Sequence, residues 1–162
     1  LARQSRMSVS DFAQKYLFGP MGFQNNFWSK IAPNGLTEIA GSISLRPRDM
    51  AKLGEMILRK GQWNGQQIVS ENWLEQCTKP QAPPPAGEDW WDGYGYLFWR
   101  KQMPYKDGTI QVIFTAGLGG QYIFMVPDLD LVCVMTGGNY DDWKSDLLEQ
   151  AFFRSYILGA AK

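Results

Sequence analysis

The sequence predicts an α+β fold, an antiparallel sheet flanked by helices, because its two halves carry different patterns. Residues 1–80 are mainly helical in pattern, whereas residues 93–158 hold short aromatic and β-branched runs followed by one more helix. A length of 162 residues fits one domain, and 44% hydrophobic with 20% charged residues is an ordinary composition for a folded chain. Both segments are therefore expected to belong to one domain.

Each helix predicted in residues 1–80 has its own start signal. Ser8 and Ser70 are helix-capping residue types, and Pro47 suits the first position of a helix. Asp49 then falls in a first turn, where the helix dipole favours negative charge. The expected helices run from Ser8 to Gly19, from Pro47 to Gly61 and from Ser70 to Pro80, and residues 22–45 are expected to form an ordered loop.

Four strands and a final helix are expected in residues 93–158, after an exposed loop over residues 81–92. The strands cover residues 94–100, 110–115, 121–126 and 131–136. The last two are apolar on both faces, so we expect them to be central and covered on both sides. The final helix, residues 142–158, can cover one face, whereas the three N-terminal helices look too few and too distant in sequence to cover the other.

Composition excludes several functions. Sixteen Lys and Arg balance sixteen Asp and Glu, and this zero net charge argues against a nucleic-acid or membrane-surface role. No apolar run approaches the roughly 20 residues of a membrane span. Histidine is absent, so no Ser-His-Asp triad and no His-ligated metal site can be completed within the chain. Cys77 and Cys133 lack Cys-x-x-Cys spacing, so no metal site is expected, and Cys133 is expected to be a buried, inert thiol.

The most unusual stretch is Thr115-Ala116-Gly117-Leu118-Gly119-Gly120-Gln121, which has three glycines in four positions between two strands. A plain hairpin explains it, because glycine permits the positive φ of tight turns. The alternative is that the backbone approaches a ligand closely and presents N–H groups to a developing oxyanion. Gln121 either reaches into a cleft or caps the turn. The pattern alone leaves these alternatives open.

Several blocks of sequence occur in one order over residues 39–42, 48–54, 61–73, 94–96, 99, 116–124 and 126–132. Together these blocks resemble the serine hydrolases related to class C β-lactamases and penicillin-binding proteins. The most similar branch is that of aminohexanoate-dimer hydrolases and related esterases. The resemblance implies that the chain is the C-terminal portion of one β-lactamase/transpeptidase-like domain.

The chemistry of this family needs three motifs, and this sequence contains one of them. Neither the Ser-x-x-Lys pair that supplies the nucleophile nor the Tyr-x-Asn motif occurs, and Ser70 fits a helix cap better than a Ser-x-Asn variant. The resemblance therefore places the nucleophile and the tyrosine upstream of Leu1, in a missing N-terminal half.

The third motif, Lys-Thr-Gly or a variant, corresponds by position to Thr115, Ala116 and Gly117. The resemblance assigns the backbone N–H of Leu118 to the oxyanion hole, and places residues 119–121 with Thr115 and Ala116 beside the substrate. Thr115 replaces the cation that binds a carboxylate in β-lactamases. This departure favours neutral esters or amides over β-lactams.

The seven tryptophans suggest either core packing or a stacking surface. Trp73, Trp99 and Trp143 fall on apolar faces at element spacing and are expected in the core, Trp73 together with Leu74 and Cys77. Trp90 and Trp91 lie in the acidic, Pro-rich loop and are expected to be exposed, where they would shape substrate access.

Two functions remain open from the sequence. The first is the C-terminal part of a serine hydrolase that forms an acyl-enzyme with a small ester or amide, needs no cofactor and is inactive as this chain alone. The second is a non-catalytic ligand-binding module that retains the fold. Apolar strands without their neighbours also predict self-association of the isolated chain. The resemblance suggests an exported or periplasmic protein, but the sequence itself leaves the compartment unknown.

Overall fold

Five antiparallel strands in sequence order form the main sheet, which confirms the α+β prediction. The computed structural model describes residues 2–29, 41–140 and 146–161. The helices are α1 (Ala2–Ser5), α2 (Val9–Ala13, continued by a π-helix over Gln14–Phe18), α3 (Pro47–Leu58), α4 (Glu71–Thr78) and α5 (Asp146–Phe152, continued by a π-helix over Phe153–Leu158). The strands are β1 (Phe27–Trp28), β2 (Ile43–Ser44), β3 (Gln62–Trp63), β4 (Gln66–Gln67), β5 (Gly93–Tyr94), β6 (Trp99–Tyr105), β7 (Gly108–Gly117), β8 (Gln121–Val126) and β9 (Leu131–Met135).

The predicted helix starts agree with the structure. The Ser8 and Ser70 hydroxyls accept hydrogen bonds from the backbone N–H groups of Asp11 and Trp73, and Pro47 is the first residue of α3. Such a cap stabilises a helix by about 1 kcal/mol. Within the expected loop over residues 22–45, the short strands β1 and β2 pair with each other, and residues 30–40 lie outside the described residues.

The strand predicted over residues 94–100 is wrong, because the chain turns back within it. Gly95 N–H donates to the Phe98 carbonyl at 2.8 Å, and Leu97 has a φ of 65°. Tyr94 then pairs with Trp99, so β5 and β6 form a tight hairpin. The aromatic residues continue without interruption across this turn, so the sequence pattern does not reveal it.

The prediction that both apolar strands are central is right for β8 and wrong for β9. In β8 every residue after Gln121 is buried. β9 pairs with β8 only, and within the described residues it forms one edge of the sheet with its side chains half-buried. Cys133, on β9, is accordingly half-buried rather than fully buried.

Aromatic rings pack between the sheet and the C-terminal helix, as the sequence predicts for one face. Phe124 of β8 and Phe153 are fully buried, with ring centroids 4.2 Å apart and planes 7° from parallel. Val112 and Phe114 of β7 complete this layer. Burying one such side chain contributes about 1.5–3 kcal/mol, so this stack is a main source of stability. Trp143 and the start of the predicted helix lie outside the described residues.

The other face of the sheet is covered by α3, so the expectation that no N-terminal helix covers it is wrong. Met50, Leu53 and Ile57 of α3 pack against buried residues of β7 and β8. A Cβ atom on Gly54 would lie 2.6 Å from Val132 Cγ1, so the helix backbone lies directly on β9. Sequence distance does not prevent this contact, because α3 carries an apolar face of the right spacing.

A buried aspartate fixes the start of α3. Asp49 is fully buried and lies 2.9 Å from both Arg46 Nε and Lys52 Nζ. The hydrogen bond from Arg46, with a further contribution from Lys52 and against the effect of burial, lowers the pKa of Asp49 from 3.8 to about 2. Lys52 also donates to the Gly22 carbonyl at 2.7 Å. This group therefore ties α3 to the segment that precedes β1.

Trp73 is 53% exposed, so its predicted place in the core is wrong. Leu74 and Cys77 are buried as predicted, and they occupy the inward face of the two-turn helix α4. Trp73 instead stacks on exposed Tyr96, with ring centroids 5.9 Å apart. Trp90 and Trp91 were expected to be exposed but are half-buried, because they pack against the aromatic layer together with Trp99.

Candidate active site

The glycine-rich stretch forms the turn between β7 and β8. Gly117 pairs with Gln121, and residues 118–120 form the turn beyond the last pair. Gly119 and Gly120 have φ values of 88° and 90°, a conformation that favours glycine. Leu118 is 64% exposed, and its N–H lies outside the β7–β8 ladder. Of the two alternatives that the sequence left open, the hairpin is present, and the approach of a ligand to this backbone stays a prediction.

The glycines also leave room for neighbouring side chains. A Cβ atom on Gly119 would lie 2.7 Å from the Tyr140 ring, and one on Gly120 would lie 2.9 Å from Glu149 Cδ. Both glycines are buried. Tyr140 and Glu149 lie where side chains at these two positions would be. The predicted proximity of Gly119 and Gly120 to a substrate therefore concerns their backbone atoms, and it stays a prediction.

Gln121 binds the backbone of the segment that follows β9. Its Nε2 donates to the Gly137 carbonyl at 2.9 Å, and Asn139 N–H donates to the Gly119 carbonyl at 3.3 Å. Gln121 also lines a cleft on the α3 side of the sheet. The two roles that the sequence left open for this residue are therefore compatible.

The end of β7 presents a free backbone edge. β6 pairs with β7 only as far as Phe114, opposite Trp99. Thr115, Ala116 and Gly117 pair with β8 on one side, and within the described residues no strand pairs with them on the other. Unpaired backbone groups of this kind are available to hydrogen-bond a ligand.

Two clefts flank this strand end. One, of about 350 Å³, lies on the α5 side, and the other, of about 540 Å³, lies on the α3 side. Ala116 and Gly117 line both, whereas Leu118 lines the first and Thr115 the second. The first cleft is lined by Glu88, Trp90, Trp99, Ala116, Gly117, Leu118, Tyr122 and Leu147.

The walls of these clefts carry no cation among the described residues that line them. The first cleft is lined mainly by aromatic and aliphatic side chains. Its one charged side chain is Glu88, whose Oε2 accepts a 2.7 Å hydrogen bond from Trp90 Nε1. The second is lined by apolar and uncharged polar side chains. The site therefore suits a neutral or weakly cationic apolar group rather than a carboxylate.

The cysteines are not candidate nucleophiles. Burial raises the pKa of the Cys77 and Cys133 thiols above the usual value, which favours the unreactive protonated form. Within the described residues, no three His, Cys, Asp or Glu side chains are grouped so as to hold a metal ion. No helix in that part of the chain is both long and apolar enough to span a membrane.

Sequence reasoning missed Glu88, Tyr140, Leu147 and Glu149 as neighbours of the site. The acidic loop and the glycines after β9 were visible signals, but nothing in the sequence shows which strand end they approach. The pairing of β7 with β8 and the packing of α5 bring them together.

Comparison with known proteins identifies the fold. No protein-family profile and no curated protein matches the sequence. Among solved structures, a Bacillus anthracis protein assigned as a 6-aminohexanoate-dimer hydrolase matches with a TM-score of 0.70 and 19% identity, over 93% of this chain and 37% of that one. The octameric penicillin-binding protein homologue from Pyrococcus abyssi gives 0.67 and 18%, over 92% and 38%. A Bacteroides dorei protein assigned as a β-lactamase gives 0.57 and 17%, over 80% and 44%.

The chain therefore has a β-lactamase/transpeptidase-like fold, as the sequence resemblance predicts. It spans 37–44% of the length of these solved structures. More narrowly, its neighbours are aminohexanoate-dimer hydrolase, β-lactamase and penicillin-binding protein homologues, and the chain corresponds to part of such a hydrolase fold.

Proposed function

We propose that this chain is the C-terminal part of a serine hydrolase that cleaves a neutral ester or amide through an acyl-enzyme. The observation that supports the proposal is the turn after β7, where the Leu118 N–H lies beyond the last strand pair and Leu118 lines the first of the two clefts. Backbone N–H groups held in this way stabilise the negative charge of a tetrahedral intermediate.

The reaction divides between this chain and sequence upstream of it. A serine hydroxyl from upstream attacks the substrate carbonyl carbon, and the carbonyl oxygen takes the negative charge. The Leu118 N–H donates to that oxygen. Collapse of the intermediate breaks the carbon–oxygen or carbon–nitrogen bond to the leaving alcohol or amine, which takes the proton released by the serine. Water then attacks the acyl-enzyme, the bond to the serine oxygen breaks, the serine regains a proton and the acid is released. One such donor is typically worth about 3 kcal/mol of barrier, so the chain assists the reaction but does not perform it alone.

The clefts favour a substrate with an apolar group and no carboxylate beside the scissile bond. Trp90 and Trp99, with ring centroids 5.9 Å apart, offer flat apolar surfaces next to Gly117 and Leu118. Glu88 at the same cleft repels an anion. A neutral aliphatic or aromatic ester or amide meets both conditions.

The missing N-terminal half is the proposed partner of this chain. Leu148, Phe152 and Tyr156 recur at every fourth position of the C-terminal helix and are all exposed. With Met135 they line a groove of about 420 Å³ beside β9, whose outer edge pairs with no strand among the described residues. An exposed apolar row next to an open strand edge calls for a covering strand and helix, and without them the isolated chain is expected to self-associate.

Labelling of the full-length native protein with a fluorophosphonate probe tests the proposal. We expect one label on a product of more than about twice this chain's mass, given that the chain spans two fifths of its structural neighbours. The 162-residue chain alone is the control and is expected to remain unlabelled. Labelling of the isolated chain, or a full-length product that takes no label, contradicts the proposal.

A non-catalytic binding module is the second candidate. The two clefts at the end of β7 support it, because a ligand could bind there without any nucleophile from this chain. It predicts an unlabelled native product near 18.4 kDa that binds small acyl compounds saturably.

A further inference from the structure

We infer that Glu149 is a positioning residue for the turn that carries the Leu118 N–H, an inference that rests on the proposed hydrolase function. Glu149 lies on α5, whereas the turn joins β7 to β8. It is nevertheless the side chain that occupies the space left open by the missing Cβ of Gly120.

The Glu149 carboxylate lies against the turn. A Cβ atom on Gly120 would lie 2.9 Å from Glu149 Cδ and closer still to its Oε1. One on Gly137 would lie 3.1 Å from the same Oε1 and 2.5 Å from the Gly119 carbonyl oxygen. The carboxylate therefore lies between the turn and the segment after β9, and glycine is the residue that fits at both places.

Contacts from several directions hold the turn between β7 and β8. Asn139 N–H and Gln121 Nε2 connect the turn to the segment after β9 by hydrogen bonds. The Tyr140 ring lies against Gly119. Glu149 closes the side that faces α5, where Gly120 has no side chain of its own to restrict its backbone.

One oxygen of the Glu149 carboxylate destabilises the fold. Oε2 of Glu149 is buried, and no hydrogen-bond partner for it exists among the described residues. A buried acceptor without a donor destabilises a fold, so an aliphatic side chain would be the more stable filler. An unsatisfied buried group of this kind requires an explanation, and its position against the adjacent turn supplies one.

Steady-state kinetics of the full-length protein on a neutral 4-nitrophenyl ester test this inference. We expect Glu149→Ala to lower kcat by about tenfold or more while KM changes less than about threefold, because the oxyanion donor acts mainly in the transition state. Glu149→Gln has nearly the same shape and should retain kcat within about threefold. Glu75→Ala, the same kind of change at an exposed position of α4, should have no effect.

Gly120→Ala provides an independent variant. It should lower kcat, and the double variant Gly120→Ala, Glu149→Ala should lose less than the product of the two single losses, since removing the carboxylate relieves the contact. An unchanged kcat for Glu149→Ala, a loss confined to KM, or a Glu149→Gln variant as impaired as Glu149→Ala would overturn the inference.

Hydrogen exchange separates this inference from the proposed function. Amide exchange over residues 117–121 of the full-length protein should accelerate in Glu149→Ala and remain at the wild-type rate in Glu149→Gln. A wild-type protein without turnover contradicts the hydrolase proposal, whereas unchanged exchange in Glu149→Ala contradicts the positioning role even if turnover is normal.

Discussion

The two faces of the main sheet are covered by helices in different ways. Toward α5, stability comes from volume, since the rings of Phe124 and Phe153 stack and are fully buried. Toward α3, it comes from close approach, because Gly54 brings the helix backbone onto Val132 and the buried Asp49 fixes the helix start. The face toward α5 should therefore be sensitive to the loss of atoms, and the face toward α3 to the addition of atoms.

Truncating the aromatic layer should have the largest effect. Phe153→Ala leaves a cavity in a fully buried layer and should lower the free energy of unfolding by about 3–5 kcal/mol. Its neighbour Phe152 is 48% exposed, so Phe152→Ala is a matched control and should lower it by less than about 1 kcal/mol. Urea denaturation of both variants measures the difference, and equal losses would contradict the assignment of the two rings.

Removing the charge of Asp49 should have the next largest effect. The shift of its pKa from 3.8 to about 2 corresponds to about 2 kcal/mol of stability at neutral pH, which Asp49→Asn should lose. Asp130 faces Arg59 at 3.4 Å with both side chains mostly exposed, so Asp130→Asn should lose less than about 0.5 kcal/mol. A comparable loss in both variants would mean that burial of Asp49 is irrelevant.

The same aspartate gives stability a defined pH dependence. Because its pKa is lower in the folded protein, its contribution is complete above the unfolded value near 4 and disappears as the pH falls toward about 2. Denaturation midpoints measured between pH 6 and about 2 should converge for wild type and Asp49→Asn at the acid end. A gap that is independent of pH would contradict this account.

Adding one methyl group to α3 should have the smallest of these effects. Gly54→Ala places Cβ 2.6 Å from Val132 Cγ1, and the gain in helix propensity offsets part of the strain, so a net loss of about 1 kcal/mol is expected. Val132→Ala in the same protein should relieve the contact and reduce the loss. Thermal unfolding of the two single variants and the double variant gives the coupling energy.

Local features were predictable from the sequence, and contacts between distant segments were not. The caps at Ser8 and Ser70 and the start of α3 at Pro47 depend on neighbouring residues, and all three are present. The cover of the second face by α3 depends on Gly54, which in the sequence is one glycine in a helical pattern. The close packing of β9 against Gly54 is apparent only from the structure.

In the candidate site, too, the local features were predictable from the sequence and the long-range contacts were not. The turn over residues 118–120 was visible as a cluster of glycines, with its positive φ values implied. Glu149 follows the turn by about 30 residues and belongs to a helix whose face could not be assigned to a particular strand end. Trp73 shows the converse error, because an apolar side chain next to Leu74 was assigned to the core, whereas it lies on the outer face of α4.

The order of strands in the main sheet also bears on how the chain folds. Every pairing from β5 to β9 joins strands that are consecutive in sequence, so each closes only a short loop and loses little chain entropy. The sheet can therefore form by successive hairpin additions around β7 and β8, on the fast side for a β-rich domain. The docking of α3, the long-range contact, is expected to follow as a slower step, with Gly54 and Asp49 contributing chiefly to the unfolding rate.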